Sequence, residues 1–318
     1  MKYTGITSRE VIGTFYELLN TSMDTAWPFL LGMLFDSNQE SETYKWLGMT
    51  PALREWIGGR QAKGLREEGV TIINKKFEAT LEIDVDSIRR DKTGQINIRI
   101  GELVDRVNQH WAKLLTEHII AGSAATLGLA YDGQFFFDDD HVSGDSGTLT
   151  NLLSATEVPN LNVGTAAAPT ADEMASAIMD VIAYFFNYKD DQGQPINDAA
   201  KEFSVMVPVN LYSPALQALT KNNLNVGTGV RDNPLVGGPF KISLIPNSRL
   251  STTTEFYVFR TDARTSAFIL QEEEKVKIQA VAEGSELEFN DDVHRYGVKS
   301  LRNVGYGQWQ FATHCTLS

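Results

Sequence analysis

The most concentrated chemistry in the chain is the run Asp138-Asp139-Asp140-His141. Carboxylates beside an imidazole could hold a divalent cation, and one carboxylate could act as base in metal-assisted hydrolysis. Metal sites, however, draw ligands from several parts of a fold. The other histidines, His110, His118, His294 and His314, show no ligand spacing. His110 and His118 stand about two helical turns apart, too far to share an ion as an i, i+4 pair does. Gly227-Thr228-Gly229 could cradle phosphate only between a strand and a helix, and Pro234, Gly237, Gly238 and Pro239 forbid the helix. Ser146 lacks the strand–elbow–helix setting of a hydrolase nucleophile. Cys315 is the only cysteine, which excludes an intrachain disulfide and a cysteine-built zinc site and fits a reducing compartment. Glu272-Glu273-Glu274 reads as a solvated face. Acid, base and stabiliser converge nowhere, so no catalytic residue, metal or cofactor is expected.

The elements that would position such groups come next. The 318 residues carry a formal net charge of −13, with 42% hydrophobic and 22% charged residues, which are globular rather than disordered proportions. The acidic excess argues against a general binder of nucleic acid or anionic membrane, both of which need surplus Lys and Arg. No segment approaches the roughly 18 apolar residues of a membrane span, and residues 1–25 lack the pattern of a secretory signal. Thr7 and Glu10 have capping-box spacing ahead of a helix with Val11, Ile12, Phe15, Leu18 and Leu19 on one face. The stretch from Trp27 to Ile57 holds Trp46 and Trp56 among many large side chains but has little periodicity. Its aromatics need burial on the main body or on another subunit.

Residues 69–99 read as a long β-hairpin. Ala79, Leu81, Ile83 and Val85 alternate with polar partners, Asp91-Lys92-Thr93-Gly94 forms the turn, and Ile96, Ile98 and Ile100 alternate again. A long two-stranded hairpin is marginal alone in water, so it too looks for a partner surface. From Ile100 to Ile119 apolar residues recur at helical steps, and Gly122 closes a straight rod of about 30 Å, a spine for the molecule. An extended loop follows to Thr170, where Thr170 and Glu173 open a helix bearing Met174, Ile178, Val181, Ile182 and Phe185. Phe203 to Val209 reads as a buried strand, Ser213-Pro214 as the start of a short helix, and 225–239 as a Gly-rich loop. Strand-like pieces then alternate with turns to the end. The fold class is α+β with mostly antiparallel strands. An arm and a hairpin that both need outside burial favour assembly with identical copies.

Several segments carry a resemblance. They are Tyr44-Lys45-Trp46-Leu47-Gly48 with Pro51, Arg54-Glu55-Trp56-Ile57-Gly58, and Asn74-Lys75-Lys76-Phe77-Glu78-Ala79-Thr80. Further along come Tyr131-Asp132-Gly133-Gln134-Phe135-Phe136 with Asp140-His141, Val207-Pro208, Phe268-Ile269-Leu270-Gln271-Glu272, and Gly305-Tyr306-Gly307-Gln308-Trp309-Gln310. In this order they resemble the major capsid (head) proteins of Mu-like tailed bacteriophages, the head subunit T family, over nearly the whole chain.

The resemblance implies the Hong Kong phage-type capsid fold. Residues 1–68 would be its N-terminal arm, 69–99 its E-loop and 100–150 the first part of the peripheral (P) domain, with the spine helix over 100–122. Residues 151–254 would be the axial (A) domain, and 255–318 the C-terminal strands of the P domain. It also implies hexamers and pentamers closing into an icosahedral shell around double-stranded DNA. A separate scaffolding protein, a portal and in some shells a decoration protein would assist, because no fused scaffolding segment precedes the arm. The residues expected at intersubunit contacts are Trp46, Arg54 and Trp56 in the arm and Lys75, Lys76, Arg89, Arg90, Asp91 and Lys92 in the hairpin. No Lys–Asn cross-link is expected, because no acid catalyst stands near Lys75, Lys76 or Lys92 by motif. For a container, net negative charge is an asset, since a wall that does not grip phosphate lets DNA slide. Two other classes remain open: an encapsulin-like compartment enclosing enzyme cargo, and a metal-dependent hydrolase using Asp138, Asp140 and His141.

Overall fold

Apolar side chains at strand and helix spacing gather into two cores, a large one and a smaller distal one. The computed structural model describes residues 7–21, 27–45, 47, 69–91, 94–226 and 229–318. Trp46, Arg54, Trp56 and Lys92 lie outside the described residues. The elements in chain order are α1 (Ser8–Thr21), α2 (Trp27–Leu31), β1 (Gly32–Asp36), β2 (Ser41–Tyr44), β3 (Val70–Ile73), β4 (Lys75–Asp84), α3 (Val85–Arg90), α4 (Gln95–Asn108) and α5 (His110–Ile120). Then come β5 (Leu152–Leu153), α6 (Ala171–Phe185), β6 (Glu202–Val207), α7 (Val209–Thr220), β7 (Asn223–Val226), β8 (Gly229–Asp232), β9 (Lys241–Pro246), β10 (Glu255–Arg260), β11 (Phe268–Val281), α8 (Glu286–Asp291), β12 (Val293–Tyr306) and β13 (Ala312–Thr316).

A five-stranded sheet, β5-β13-β10-β6-β9, carries the large core. β6 and β10 are buried along nearly their whole length, as a strand covered on both faces must be. Helix α6 packs there through Met174, Ile178, Val181, Ile182 and Phe185. Its capping box forms as expected: Glu173 N donates to Thr170 Oγ1, and Thr170 N donates to Glu173 Oε2. A four-stranded sheet, β1-β11-β12-β4, runs from this core into the distal one. There Ile83, Ile278, Tyr296 and Val298 meet Val11 and Phe15 of α1, Ile88 of α3, and Ile96, Ile100 and Val104 of α4.

The sheets divide the C-terminal strands differently from the expectation. β11 and β12 belong to the four-stranded sheet, whereas β10 and β13 pair with each other and with β6 and β5 in the other one. The supposed hairpin over 69–99 is also corrected. Its first half is strand β4, paired antiparallel with β12 rather than with residues 94–99. Its second half is helix: α3 follows β4 directly, and α4 begins at Gln95. The alternation of Ile96, Ile98 and Ile100 misleads, because the core side chains are Ile96, Ile100 and Val104 at i, i+4 spacing while Ile98 is 63% exposed.

The spine therefore starts earlier than residue 100 and is not a single straight rod. It is interrupted at Gln109, although Gln109 N still donates to Asp105 O and Lys113 N to Gln109 O, so the ladder carries across. Two smaller expectations also change. Helix α7 begins at Val209 and holds Pro214 inside it, so Ser213 is no N-cap. The Gly-rich stretch 225–239 instead overlaps the paired strands β7 and β8, while Gly227 and Thr228 lie outside the described residues.

Much of the described arm is buried on its own chain. α1 forms the predicted capping box, with Thr7 N donating to Glu10 Oε2 at 2.7 Å, and packs into the distal core. β1 runs parallel to β11, and Leu31, Tyr44 and Leu47 lie in the large core.

Candidate functional site and assembly surfaces

The segment after the spine, Tyr131 to His141, folds against the C-terminal segment Trp309–Phe311 and forms a buried polar knot. His141 is fully buried and stacks on the Trp309 indole, with ring centroids 3.9 Å apart and planes 7° from parallel. Its Nδ1 lies 2.7 Å from Asp132 Oδ2, and its Nε2 lies 3.3 Å from Asn151 Oδ1. The Asn151 amide is oriented by its own donors, which reach Phe136 O at 2.8 Å and Trp309 O at 3.3 Å. Its oxygen must therefore accept, and both ring nitrogens of His141 face acceptors. That arrangement fixes the ring between the buried Asp132 carboxylate and the Asn151 amide.

Asn151 Oδ1 also accepts from Asp138 N at 2.9 Å, which ties the acidic turn to the same hub. Two more links extend it. Gln310 Nε2 donates to Tyr131 Oη at 2.5 Å, and Gln310 O accepts from Asn197 Nδ2 at 3.0 Å. Asn197 Oδ1 in turn accepts from Arg260 Nη1, whose Nε donates to Asp262 at 2.7 Å. Burial alone would raise the Asp262 carboxyl, but the Arg260 hydrogen bond and the backbone N–H of Lys201 bring it below the usual range.

This geometry answers the metal question raised by Asp138, Asp140 and His141. The three Asp carboxylates lie close together, so the acidic cluster exists. His141, however, points away from it with both nitrogens committed. Asp138 spends its oxygens on Phe135 N and Asp139 N, the hydrogen bonds of a tight turn. Loss of hydration, and then the Asp138 and Asp139 charges, raise the Asp140 carboxyl. The segment from Tyr131–Asp132 to Asp140–His141 and the distant Trp309–Gln310 come together in one place. Missed from sequence were Asn151 and Asn197, whose lone amides carry no motif. Cys315 is fully buried with its thiol pushed up to about 12 by burial, so it is a packing residue rather than a nucleophile.

The described contact candidates lie at the distal end. Lys75 and Lys76 begin β4 and are exposed. Arg89 and Arg90 are exposed on α3, and both reach Asp86, at 2.6 and 2.7 Å. Asp91 acts inside the chain: its carboxylate accepts from Gln95 N and Ile96 N and closes the first turn of α4. The open face of the distal sheet is a charge ladder. Arg295 pairs with Glu82, and Lys277 and Lys299 both pair with Glu274. Those two lysines hold the Glu274 carboxyl down at about 2. Among the described residues no helix is long and apolar enough to cross a membrane.

Two sheets, a helical spine and an arm running beside a long strand pair define the α+β fold of tailed-phage capsid subunits, the Hong Kong phage-type fold. A chain from the procapsid of bacteriophage JBD30 superposes with a TM-score of 0.55 at 23% identity, over 96% of this chain and 73% of that one. The family described as Mu-like prophage major head subunit gpT matches residues 11–168 and 231–317, and this chain belongs to that family. A "Mu-like prophage FluMu major head subunit" of Haemophilus influenzae is 34% identical over 128 residues, 40% of this chain and 41% of the relative. The "Major capsid protein" of Escherichia phage Mu is 32% identical over 111 residues, 35% of each chain. The chain thus spans well under half the length of the curated relatives it matches.

Proposed function

We propose that the chain is the major capsid subunit of a tailed bacteriophage, assembling as hexamers and pentamers into an icosahedral shell around double-stranded DNA. The observation that carries this is the family match across both the arm-and-spine half and the C-terminal strands. The capsid-type fold supports it. The subunit works as a building block and not as a catalyst, in keeping with a His141 spent on Asp132 and Asn151 rather than on a substrate. Its place is the virion, after assembly in the host cytoplasm with a scaffolding protein, a portal and, in some shells, a decoration protein. The residues proposed for contacts between copies are Trp46, Arg54, Trp56, Lys75, Lys76, Arg89, Arg90, Asp91 and Lys92. Electron microscopy of the purified protein, and of its expression lysate with the scaffolding protein present, tests the reading. Closed shells are expected. Monomers and dimers under every condition would overturn it, and shells packed with enzyme instead of DNA in the source particle would favour a cargo compartment.

A further inference from the structure

Where α4 and α5 meet the edge of the distal sheet, a cavity of ≈ 220 Å³ opens beside β4. β4 is the last strand of its sheet, so this flank is open among the described residues. Phe77, Leu103, Val107 and Val298 give it apolar walls. Its polar lining is strongly cationic: Arg106, Lys113 and Arg302 face it, against the single acid Glu78. Arg302 is the unusual member. It is only 2% exposed, its Nε donates to Ser300 Oγ at 3.1 Å, and its guanidinium lies 4.8 Å above the Trp111 ring. Glu272 stands opposite Arg302 in the β11–β12 register and partly offsets its charge, but among the described residues neither Arg302 nor Arg106 closes an ion pair with a carboxylate. A buried guanidinium stays charged, so a further anion entering the cavity would add to that partial compensation. His110, beside it, is held neutral at ordinary pH, its imidazole lowered to about 4 by burial and then by Arg302 and Lys113.

The far end of the same sheet has the opposite character. The tip between β11 and β12 carries Glu283, Glu286, Glu288, Asp291 and Asp292 with no Lys or Arg. At its centre Phe289 on α8 is 90% exposed, the most exposed large apolar side chain among the described residues. Glu288 is used internally on Gly284 N and His294, and Glu283 on Ser8 N, which leaves Glu286, Asp291 and Asp292 around a bare ring. From Val293 to Ser300 the strand runs about 24 Å, so a tip cannot reach the cavity of its own chain.

We infer that the acidic tip of one copy docks in the cationic cavity of the next, seating the Phe289 ring against Leu103 and Val107 and setting Glu286 and Asp291 against Arg106, Lys113 and Arg302. An apolar anchor ringed by acids meets an apolar cavity ringed by bases, and the charges fix its orientation. The two surfaces differ, so the contact is heterologous and repeats from copy to copy, as a ring or lattice requires. The inference rests on the shell reading above and names one contact within it.

The test uses the intact chain. The only native cysteine is buried, so the pair Phe289→Cys and Leu103→Cys has no competing thiol. In assembled, mildly oxidised shells the double variant is expected to give a ladder of disulfide-linked oligomers on a non-reducing gel, and neither single variant should. Phe289→Ala is the second arm. Its side chain touches little of its own chain, so the melting temperature should hold while the concentration needed for assembly rises about tenfold. Shells that form without a ladder, or an unchanged assembly threshold for Phe289→Ala, would overturn the contact and leave the shell reading standing. A wild-type chain that forms no shell would overturn both.

Discussion

Replacing Asn151 by Ala removes the one side chain that holds four parts of the buried knot. Four groups lose a partner: the carbonyls of Phe136 and Trp309, the N–H of Asp138, and Nε2 of His141. Each buried group left without a hydrogen bond costs about 1 kcal/mol or more. The sum over the four groups is about 4 kcal/mol if no water enters the space. For a chain of this size that corresponds to a fall of roughly 6 °C in melting temperature. Thermal unfolding of the unassembled subunit, followed by tryptophan fluorescence, measures it. Asn151→Asp keeps the acceptor for His141 and Asp138 but has no proton for the two carbonyls, so it should fall between wild type and Ala. A loss below about 1 kcal/mol for Asn151→Ala would refute the knot as the clasp between the spine and the C-terminal segment.

The remaining predictions concern other parts of the fold. His110 titrates at about 4 when folded and near 6.5 when unfolded. The unfolded chain therefore binds more protons between these values, and stability should fall as pH drops from about 6.5 to 4, by up to about 3 kcal/mol. Urea unfolding at stepped pH should show that slope flattened in His110→Gln. A Cβ at Gly305 would collide with the Ile72 side chain, so Gly305→Ala should cost about 1–3 kcal/mol. Combined with Ile72→Ala, the two losses should sum to less than their separate values in a double-mutant cycle. Thr170→Ala breaks the α6 capping box and should cost about 1 kcal/mol in the same denaturation assay.

Legibility from sequence followed the range of the interactions. The capping boxes of α1 and α6 and the apolar face of α6 are local, and they stand where the spacing placed them. The error over 69–99 arose because three isoleucines two apart satisfy a strand pattern over a short window. Only Val104, four further on from Ile100, breaks the tie toward helix. The break at Gln109 has no Gly or Pro to announce it. His141 reads as a metal candidate from its acidic neighbours, yet its fate is set by Trp309, a long way down the chain. α8 fills a turn that sequence left as an unassigned gap between two strands, and the exposed ring it carries has no local signature at all. The family resemblance supplied the fold, but the division of strands between sheets depended on pairings such as β10 with β13, which no local pattern encodes.

The long strand pair has one more consequence. β11 and β12 cross from the large core to the distal one, and their register shifts twice, between Glu272 and Glu274 and between Glu274 and Lys277. The helical spine crosses the same gap and is interrupted at Gln109. These interruptions lie at one level: Phe77, paired with Ser300 beside the shifted register, packs edge-on against His110 at 4.4 Å. In mechanical terms the subunit is a beam with two flanges, both notched at the same cross-section. Bending stress would concentrate at such a section, which is where a hinge between the two lobes is expected.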